Sequence, residues 1–145
     1  YHKDNSKIII ANTTISNGLA FTADNTTLYF IDTPTKKVAK YNYDLETGNV
    51  EFDTYVIEFT DKGSPDGMTI DKNGMLWIAE WGGACVSQWN PLTGKKLNEI
   101  VLPFENVTSC CFDHKNNLYI TTAKNENNTD YNNGSGLFYI ELSIN

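Results

Sequence analysis

The sequence has no long hydrophobic run: none of its apolar stretches approaches the roughly 20 residues that a helix needs to cross a bilayer. Residues 1–5 contain neither the apolar segment of a signal peptide nor an initiator methionine. We therefore expect no membrane partner, and we expect that the chain begins partway through a longer protein or has been processed.

Basic residues are also scarce. The chain has 11 lysine and arginine residues against 18 aspartate and glutamate residues, which gives a net charge of −7. Binding to a nucleic-acid backbone needs clustered basic side chains, whereas adjacent lysines occur here only at Lys36–Lys37 and Lys95–Lys96. The composition argues against a nucleic-acid partner and is mildly favourable to cation binding.

Cysteine is limited to Cys85, Cys110 and Cys111, without the Cys or Cys/His spacing that holds zinc through thiolates. An odd number of cysteines among apolar neighbours favours reduced, buried thiols and a cytoplasmic location. Secretion stays open, because there are N-glycosylation sequons at Asn12, Asn25, Asn106, Asn127 and Asn133.

What the sequence does contain is short runs of Val, Ile, Tyr, Phe and Trp between turn-forming clusters, with no sustained helical period. The first unit predicts four strands, which include Leu19, Leu28, Val38 and Val50. The same order of strands and turns then returns twice, in blade-like repeats at about 16–59, 66–102 and 108–142. The polar segment 124–135 inside the third repeat is predicted to be a mobile loop.

The repeats align closely, and their spacing is informative. Equivalent apolar positions are separated by 42 to 49 residues, and they are Phe21, Ile70 and Phe112, followed by Leu28, Leu76 and Leu118. Such a period, with four strands per unit, is typical of β-propeller blades. We therefore predict an all-β fold of three four-stranded antiparallel blades.

Three blades do not close a ring, because propellers have roughly four to eight. An open arc would leave an apolar sheet face exposed at each end. The remaining blades are therefore expected from another polypeptide, from an N-terminal half of the propeller that this sequence lacks, or from a second copy of the chain.

Oxygen-bearing side chains stand at equivalent places ahead of the innermost strand of each repeat, at Asn17, Asp66 and Thr108. In a propeller, these places surround one mouth of the central channel. An amide oxygen and a carboxylate there suit a hard divalent cation, and the following residues, Gly18 and Gly67, would let the backbone turn sharply. Asn-Gly and Pro-Asp-Gly are also ordinary turn sequences that bind nothing in most proteins, so the pattern alone leaves both interpretations open.

Other residues are weaker candidates. Ser109 has no histidine or aspartate at a spacing that would make it a nucleophile, and His114 lies in a predicted turn. Trp81 is expected in a loop where it could border the channel. Glu80, beside it, is interpreted as a solvated acid rather than a metal ligand.

Several motifs resemble one known family. They are SNGLAF at 16–21, YFID at 29–32, YNYDLETG at 41–48, PDGMTID at 65–71, LWIA at 76–79 and TSCCF at 108–112. In order, and over nearly the whole chain, they resemble the C-terminal half of the regucalcin family. That family is also called senescence marker protein or gluconolactonase, and it includes the luciferin-regenerating enzymes. The resemblance implies that this chain is half of a six-bladed β-propeller with one divalent cation near the top of its channel.

By this resemblance, Asn17 and Asp66 are metal ligands, and Asp66 is also the general base that activates water for hydrolysis of a small lactone. The family's glutamate ligand, a further asparagine and a substrate-binding arginine lie in its N-terminal half, so this chain would carry half a site. Calcium is the expected cation, with zinc, manganese or magnesium as alternatives. The alternative functions are a calcium-binding regulatory protein of the regucalcin type and a hydrolase of the luciferin-regenerating type.

Overall fold

The computed structural model describes residues 6–124 and 134–142. This part of the chain is all-β, apart from a short 3-10 turn at Thr33–Thr35. No helix within it is long and apolar enough to cross a membrane. The strands are β1 (Ser16–Phe21), β2 (Thr27–Asp32), β3 (Lys37–Tyr43), β4 (Val50–Glu58), β5 (Ser64–Ile70), β6 (Leu76–Trp81), β7 (Cys85–Asn90), β8 (Lys95–Val101), β9 (Asn106–Phe112), β10 (Leu118–Ala123) and β11 (Leu137–Ile140).

The first sheet contains β1 to β4 in sequence order, each strand antiparallel to the next. Successive side chains point to opposite faces of extended backbone. In β2, Tyr29 and Ile31 accordingly enter the core shared with the second sheet. Leu28 and Phe30 lie on the opposite face, beside residues 8–10.

The other seven strands form one hydrogen-bonded sheet, in the order β11-β10-β9-β6-β7-β8, with β5 also paired to β6. The link between β9 and β6 is the single pair of Trp81 with Asn106. We therefore treat these strands as a second sheet, β5 to β8, and a third sheet, β9 to β11. The third sheet has three strands within the described residues rather than the predicted four, and most of the predicted loop 124–135 lies outside those residues.

The three sheets repeat one local geometry. The aligned apolar residues pair in the same way each time, as Phe21 with Leu28, Ile70 with Leu76 and Phe112 with Leu118. Four residues after the first member of each pair, the backbone takes a positive φ, at Asn25, Gly74 and Asn116. Asparagine and glycine tolerate this left-handed conformation best. Each inner hairpin therefore contains an equivalent turn, with one residue more in the first hairpin than in the other two.

Two apolar clusters join neighbouring sheets face to face, one between the first and second sheets and the other between the second and third. Strand β6 supplies both of them. Leu76 and Ile78 enter the first cluster, whereas Trp77 and Ala79 enter the second. Burial of one large aliphatic side chain contributes about 1.5–3 kcal/mol, so the middle sheet, which is covered on both sides, anchors the fold.

The glycines that follow the two candidate ligands allow close packing between strands. Neither Gly18 nor Gly67 has a positive φ, but both lie where the strand pairing is irregular, between Ser16 and Leu19 and between Pro65 and Met68. A Cβ atom on Gly18 would lie 2.6 Å from the carbonyl oxygen of Asp66, and one on Gly67 would lie 2.4 Å from Oγ of Ser109. The missing side chains let β1 approach β5 and let β5 approach β9.

Replacing Gly18 with alanine tests this close approach. The new methyl group would meet backbone atoms of Asp66 and Met68 at 2.6 and 2.8 Å, so we expect Gly18→Ala to lower the free energy of unfolding by about 1–3 kcal/mol. Urea denaturation gives the value. The matched control is Gly136→Ala, where the nearest atom is 3.9 Å away. Equal stability of the two variants would contradict the packing role.

Candidate functional site

The structure brings Asn17 and Asp66 together, although 49 residues separate them in the sequence. Asn17 is the second residue of β1 in the first sheet, and Asp66 is the third residue of β5 in the second sheet. The Asn17 side chain comes close enough to the Asp66 carboxyl to favour its ionised form. The contact follows from the close approach of β1 and β5, since the glycine after Asn17 packs on the backbone of Asp66.

A residue that the sequence analysis did not single out completes this contact. Thr33, directly after β2, accepts a hydrogen bond from Nδ2 of Asn17 at 3.2 Å. Its own hydroxyl donates to the carbonyl oxygen of Pro65 at 2.8 Å. Thr33 lies 16 residues from Asn17 and 32 from Pro65. Because these partners are distant in sequence, no local pattern could have identified it.

The environment of Asp66 makes its charge unfavourable. Burial raises the pKa of the Asp66 carboxyl above its ordinary value. Hydrogen bonds from the Asn17 side chain and from the backbone of Gly67 offset only part of this effect. A carboxylate of this kind gains more from a bound cation than a fully solvated one does.

The third aligned position supplies a neutral oxygen. Thr108 lies in β9, and its hydroxyl is hydrogen-bonded to that of Thr121 at 2.8 Å. Ser109, next to it, packs with its side chain against Gly67. Neither residue adds a charge to the Asn17–Asp66 pair.

The donor set suits a hard cation but is incomplete. Asn17 and Asp66 offer an amide oxygen and a carboxylate, which are the ligand types that Ca²⁺ and Mg²⁺ prefer. These ions take six or more oxygens, and within residues 6–124 and 134–142 no group of three or more His, Cys, Asp or Glu side chains could hold a metal. The pair therefore fits a cation as part of a larger site.

Glu80 and Trp81 differ from their expected roles. Both belong to β6 rather than to a loop, and Glu80 is only 2% exposed, so it is not a solvated acid. Its Oε1 atom lies 3.6 Å from Nζ of Lys96, which also binds Glu99 at 2.6 Å. Burial alone would lower the pKa of Lys96, but its interactions with Glu99 and Glu80 outweigh burial and raise it. Glu80 thus belongs to a structural ion cluster.

The buried cysteines are unsuited to chemistry. Burial raises the pKa of both Cys85 and Cys110 to about 12, so neither forms a thiolate near neutral pH. Cys111 is exposed, and all three are free. His114 is also exposed, in the turn that precedes β10. The expectation of buried thiols is confirmed for Cys85 and Cys110, which pack as small apolar residues, and was wrong for Cys111.

A groove of about 200 Å³ lies at the opposite end of β5 from Asp66, and Asp71 and Trp77 are among its lining residues. The Asp71 carboxylate already accepts hydrogen bonds from the backbone of Asn73 and Met75 and from the indole of Trp77. Its oxygens therefore hold the turn and the neighbouring strands together. We assign this groove no part in the candidate site.

Asp66 should carry a stability cost that depends on pH. Because burial raises the pKa of Asp66 in the folded protein, ionisation of this carboxyl lowers stability. The protein keeps this stability below the unfolded-state pKa of about 3.9. It loses the stability as the pH rises through the pKa of the folded state. We expect Asp66→Asn, in the presence of a chelator, to be more stable than the wild type at pH 7, and the difference to disappear near pH 3. Thermal unfolding across this pH range measures it.

The control is Asp24→Asn. Hydrogen bonds, first from the Thr22 side chain and then from Thr26, lower the pKa of the exposed Asp24. Its replacement should therefore reduce stability at pH 7 and have less effect in acid, which is the opposite trend. The same trend in both variants would contradict the effect assigned to burial of Asp66.

Comparisons with known proteins place this geometry in a family. Residues 1–124 match the family model described as the SMP-30/Gluconolactonase/LRE-like region. YvrE of Bacillus subtilis, whose name describes a sugar lactone lactonase, is 44% identical over 111 residues, which cover 74% of this chain and 38% of that protein. Regucalcin of Danio rerio is 42% identical over 112 residues, which cover 75% of this chain and 38% of that protein.

Solved structures agree with the sequence matches. A luciferin-regenerating enzyme superposes with a TM-score of 0.82 at 29% identity, over 92% of this chain and 46% of that one. A calcium-binding regucalcin from Agrobacterium tumefaciens gives 0.77 at 25% identity, over 91% and 47%. A gluconolactonase from Xanthomonas campestris gives 0.66 at 30% identity, over 78% and 36%.

The matches leave a large part of each relative uncovered, because the chain spans 38% of the two curated relatives and less than half of the three solved chains. The match to the family model nevertheless covers most of this chain and contains both Asn17 and Asp66. The two solved members with the higher TM-scores superpose over nearly the whole length of this chain. The chain therefore belongs to the SMP-30/gluconolactonase/LRE-like family.

Proposed function

We propose that this chain supplies half of the active site of a metal-dependent hydrolase that opens a small lactone. The observation that carries the proposal is that Asn17 and Asp66 lie together where β1 packs closely on β5. This packing brings a neutral oxygen ligand to a half-buried carboxylate where two sheets meet. Relatives named for sugar lactone lactonase and gluconolactonase activity support the lactone as substrate class.

In this proposal, the two side chains have different duties. Asn17 is a ligand only, whereas Asp66 is both a ligand and the base that accepts a proton from the attacking water. A divalent cation bound there would polarise the ring carbonyl and lower the pKa of the water. The water oxygen bonds to the carbonyl carbon, the ring C–O bond breaks, and the ring oxygen takes up a proton, which yields a hydroxy acid.

Calcium is the cation that we propose, supported by a related regucalcin that is described as a calcium-binding protein. Zinc, manganese and magnesium are the alternatives. The same relative supports a second candidate function, a calcium-binding regulatory protein with little turnover. The luciferin-regenerating type of hydrolase remains a third candidate, supported by the similarity in structure.

We also propose that the three sheets are half of a six-bladed propeller. The luciferin-regenerating enzyme and the Agrobacterium regucalcin are matched over 46% and 47% of their chains, as expected of half a ring. Both ends of the array bear exposed apolar side chains, with Leu19 at 56% exposure on the first sheet and Leu137 at 69% on the third. A complementary half would cover these faces and supply the missing ligands.

A cytoplasmic location is proposed because the three cysteines are free and Cys111 is exposed. Disulfides would be favoured in an oxidising compartment. Of the sequons, Asn106 is buried in β9 and could not accept a glycan without unfolding. Asn12 and Asn25 are exposed, whereas Asn127 and Asn133 lie outside the described residues.

Hydrolysis of gluconolactone, followed by acid release, tests the enzymatic proposal on the chain assembled with its complementary half. We expect turnover to require Ca²⁺, to stop after EDTA treatment, and to fall by about 10²-fold or more in Asp66→Ala. Asp61→Ala is the control, because Asp61 is an exposed acid that pairs only loosely with Lys96 at 3.8 Å.

The outcomes separate the candidates. Cation binding at Asp66 without turnover of the lactone would support the regulatory function instead. Turnover that survives EDTA would contradict the role of the metal, and full activity in Asp66→Ala would contradict the base. A panel of other cyclic substrates tests the luciferin-regenerating type.

The open sheet faces predict self-association when the chain is studied alone. Light scattering should give a mass near twice the 16.3 kDa of one chain. Leu19→Glu should reduce the association because it places a charge on an open face, whereas Leu92→Glu in the β7–β8 turn should not. A stable, well-folded monomer of the unmodified chain would refute this assembly.

A further inference from the structure

A single hydroxyl group connects the two strands that carry the candidate ligands. Thr33 begins the 3-10 turn after β2, and its backbone N–H is held by the carbonyl of Ile15 at 3.1 Å. Its Oγ1 atom touches both sides of the site, at Nδ2 of Asn17 and at the carbonyl oxygen of Pro65. Pro65 immediately precedes Asp66, so this hydroxyl ties the position of Asp66 to that of Asn17.

These hydrogen bonds determine which way round the Asn17 amide lies. A carbonyl oxygen can only accept, so the hydroxyl proton of Thr33 is committed to Pro65 and only its lone pairs face Asn17. The nearby carboxylate of Asp66, when ionised, also only accepts. Both neighbours therefore require the nitrogen end of the amide.

The oxygen end of the amide, Oδ1 of Asn17, is then the end available to a cation. If the amide turned over, Oδ1 of Asn17 would face the Thr33 hydroxyl oxygen and the nearby Asp66 carboxylate, which both accept, and the hydrogen bond to Thr33 would be lost. The amide would also present an N–H group where a cation needs an oxygen. The orientation of one side chain thus decides whether Asn17 can act as a ligand at all.

We propose that Thr33 is a positioning residue for this site, holding the Asn17 amide with Oδ1 available to a divalent cation and holding Pro65, and with it Asp66, alongside. That this orientation serves cation binding rests on the proposed function. The orientation itself rests on the hydrogen bonds of Thr33. Thr33 does not touch the cation in this scheme. It acts through Asn17 and through the backbone before Asp66.

Three variants test the proposal. Thr33→Val keeps the shape of the side chain and removes the hydroxyl, whereas Thr33→Ser keeps the hydroxyl. The matched control is Thr35→Val, which removes a hydroxyl from the same turn that is bonded to the carbonyl of Asp32 at 2.7 Å instead of to the site. Comparison of these variants separates a general weakening of the turn from loss of the Thr33 contacts.

Two measurements apply to each variant: NMR exchange of the Asn17 side-chain amide protons with water, and Ca²⁺ affinity by calorimetry in the assembled protein. For Thr33→Val we expect exchange about tenfold faster and Ca²⁺ binding about tenfold weaker. Thr33→Ser and Thr35→Val should match the wild type in both. This pattern would support the proposal, because a purely structural role would not spare the serine variant and the neighbouring control.

The outcomes that overturn the proposal differ from those that overturn the proposed function. Unchanged amide exchange and unchanged Ca²⁺ affinity in Thr33→Val overturn the role of Thr33 and leave the metal site intact. Absence of Ca²⁺ binding in the wild type contradicts the proposed function, and amide exchange then still decides whether Thr33 orients Asn17. If Thr33→Val does not fold, unprotected Asn17 amide protons in the folded wild type overturn the proposal.

Discussion

The close approach of three inner strands is the constraint on which the rest of the structure depends. Gly18 lets β1 lie against the backbone of β5, and Gly67 lets β5 lie against Ser109 of β9. Any side chain at these positions would separate the sheets by several tenths of an ångström or more. Because Asn17 and Asp66 directly precede the two glycines, the contact that closes the sheets also forms the candidate site. The packing of the sheets and the candidate site therefore depend on the same few residues.

The order of the sheets explains where the molecule is complete and where it is open. Both faces of the middle sheet are buried. In β6, Ile78 packs in the cluster shared with the first sheet, and its neighbour Ala79 packs in the cluster shared with the third sheet. The first and third sheets bury only one face against it, and their other faces carry exposed apolar side chains such as Leu19 and Leu137. These exposed faces support the proposal that further sheets cover both ends. The buried Glu80 and its partner Lys96 both lie within the second sheet.

Much of the fold could be predicted because it depends on the spacing of apolar and turn residues that are close in sequence. The pairs that begin with Phe21, Ile70 and Phe112 are equivalent, since the backbone takes a positive φ four residues after each of them. The candidate ligands were identified by counting back from these positions, together with the family motifs. The interpretation of Glu80 as a solvated acid was wrong, and the packing role of Gly18 was not foreseen, because each depends on what the residue contacts in the folded chain. A sequence pattern shows that a residue is small or charged, but not what it packs against.

The sequence by itself determined the all-β class, the repeat and its register, and the positions of Asn17 and Asp66 within the repeat. These properties come from side-chain alternation and turn chemistry, which act over a few residues. Only the tertiary structure decided that the two side chains touch, that burial raises the pKa of Asp66, and that the Thr33 hydroxyl orients Asn17. Those properties arise between strands of different sheets, where an oxygen finds its partner at about 3 Å only after the chain has folded.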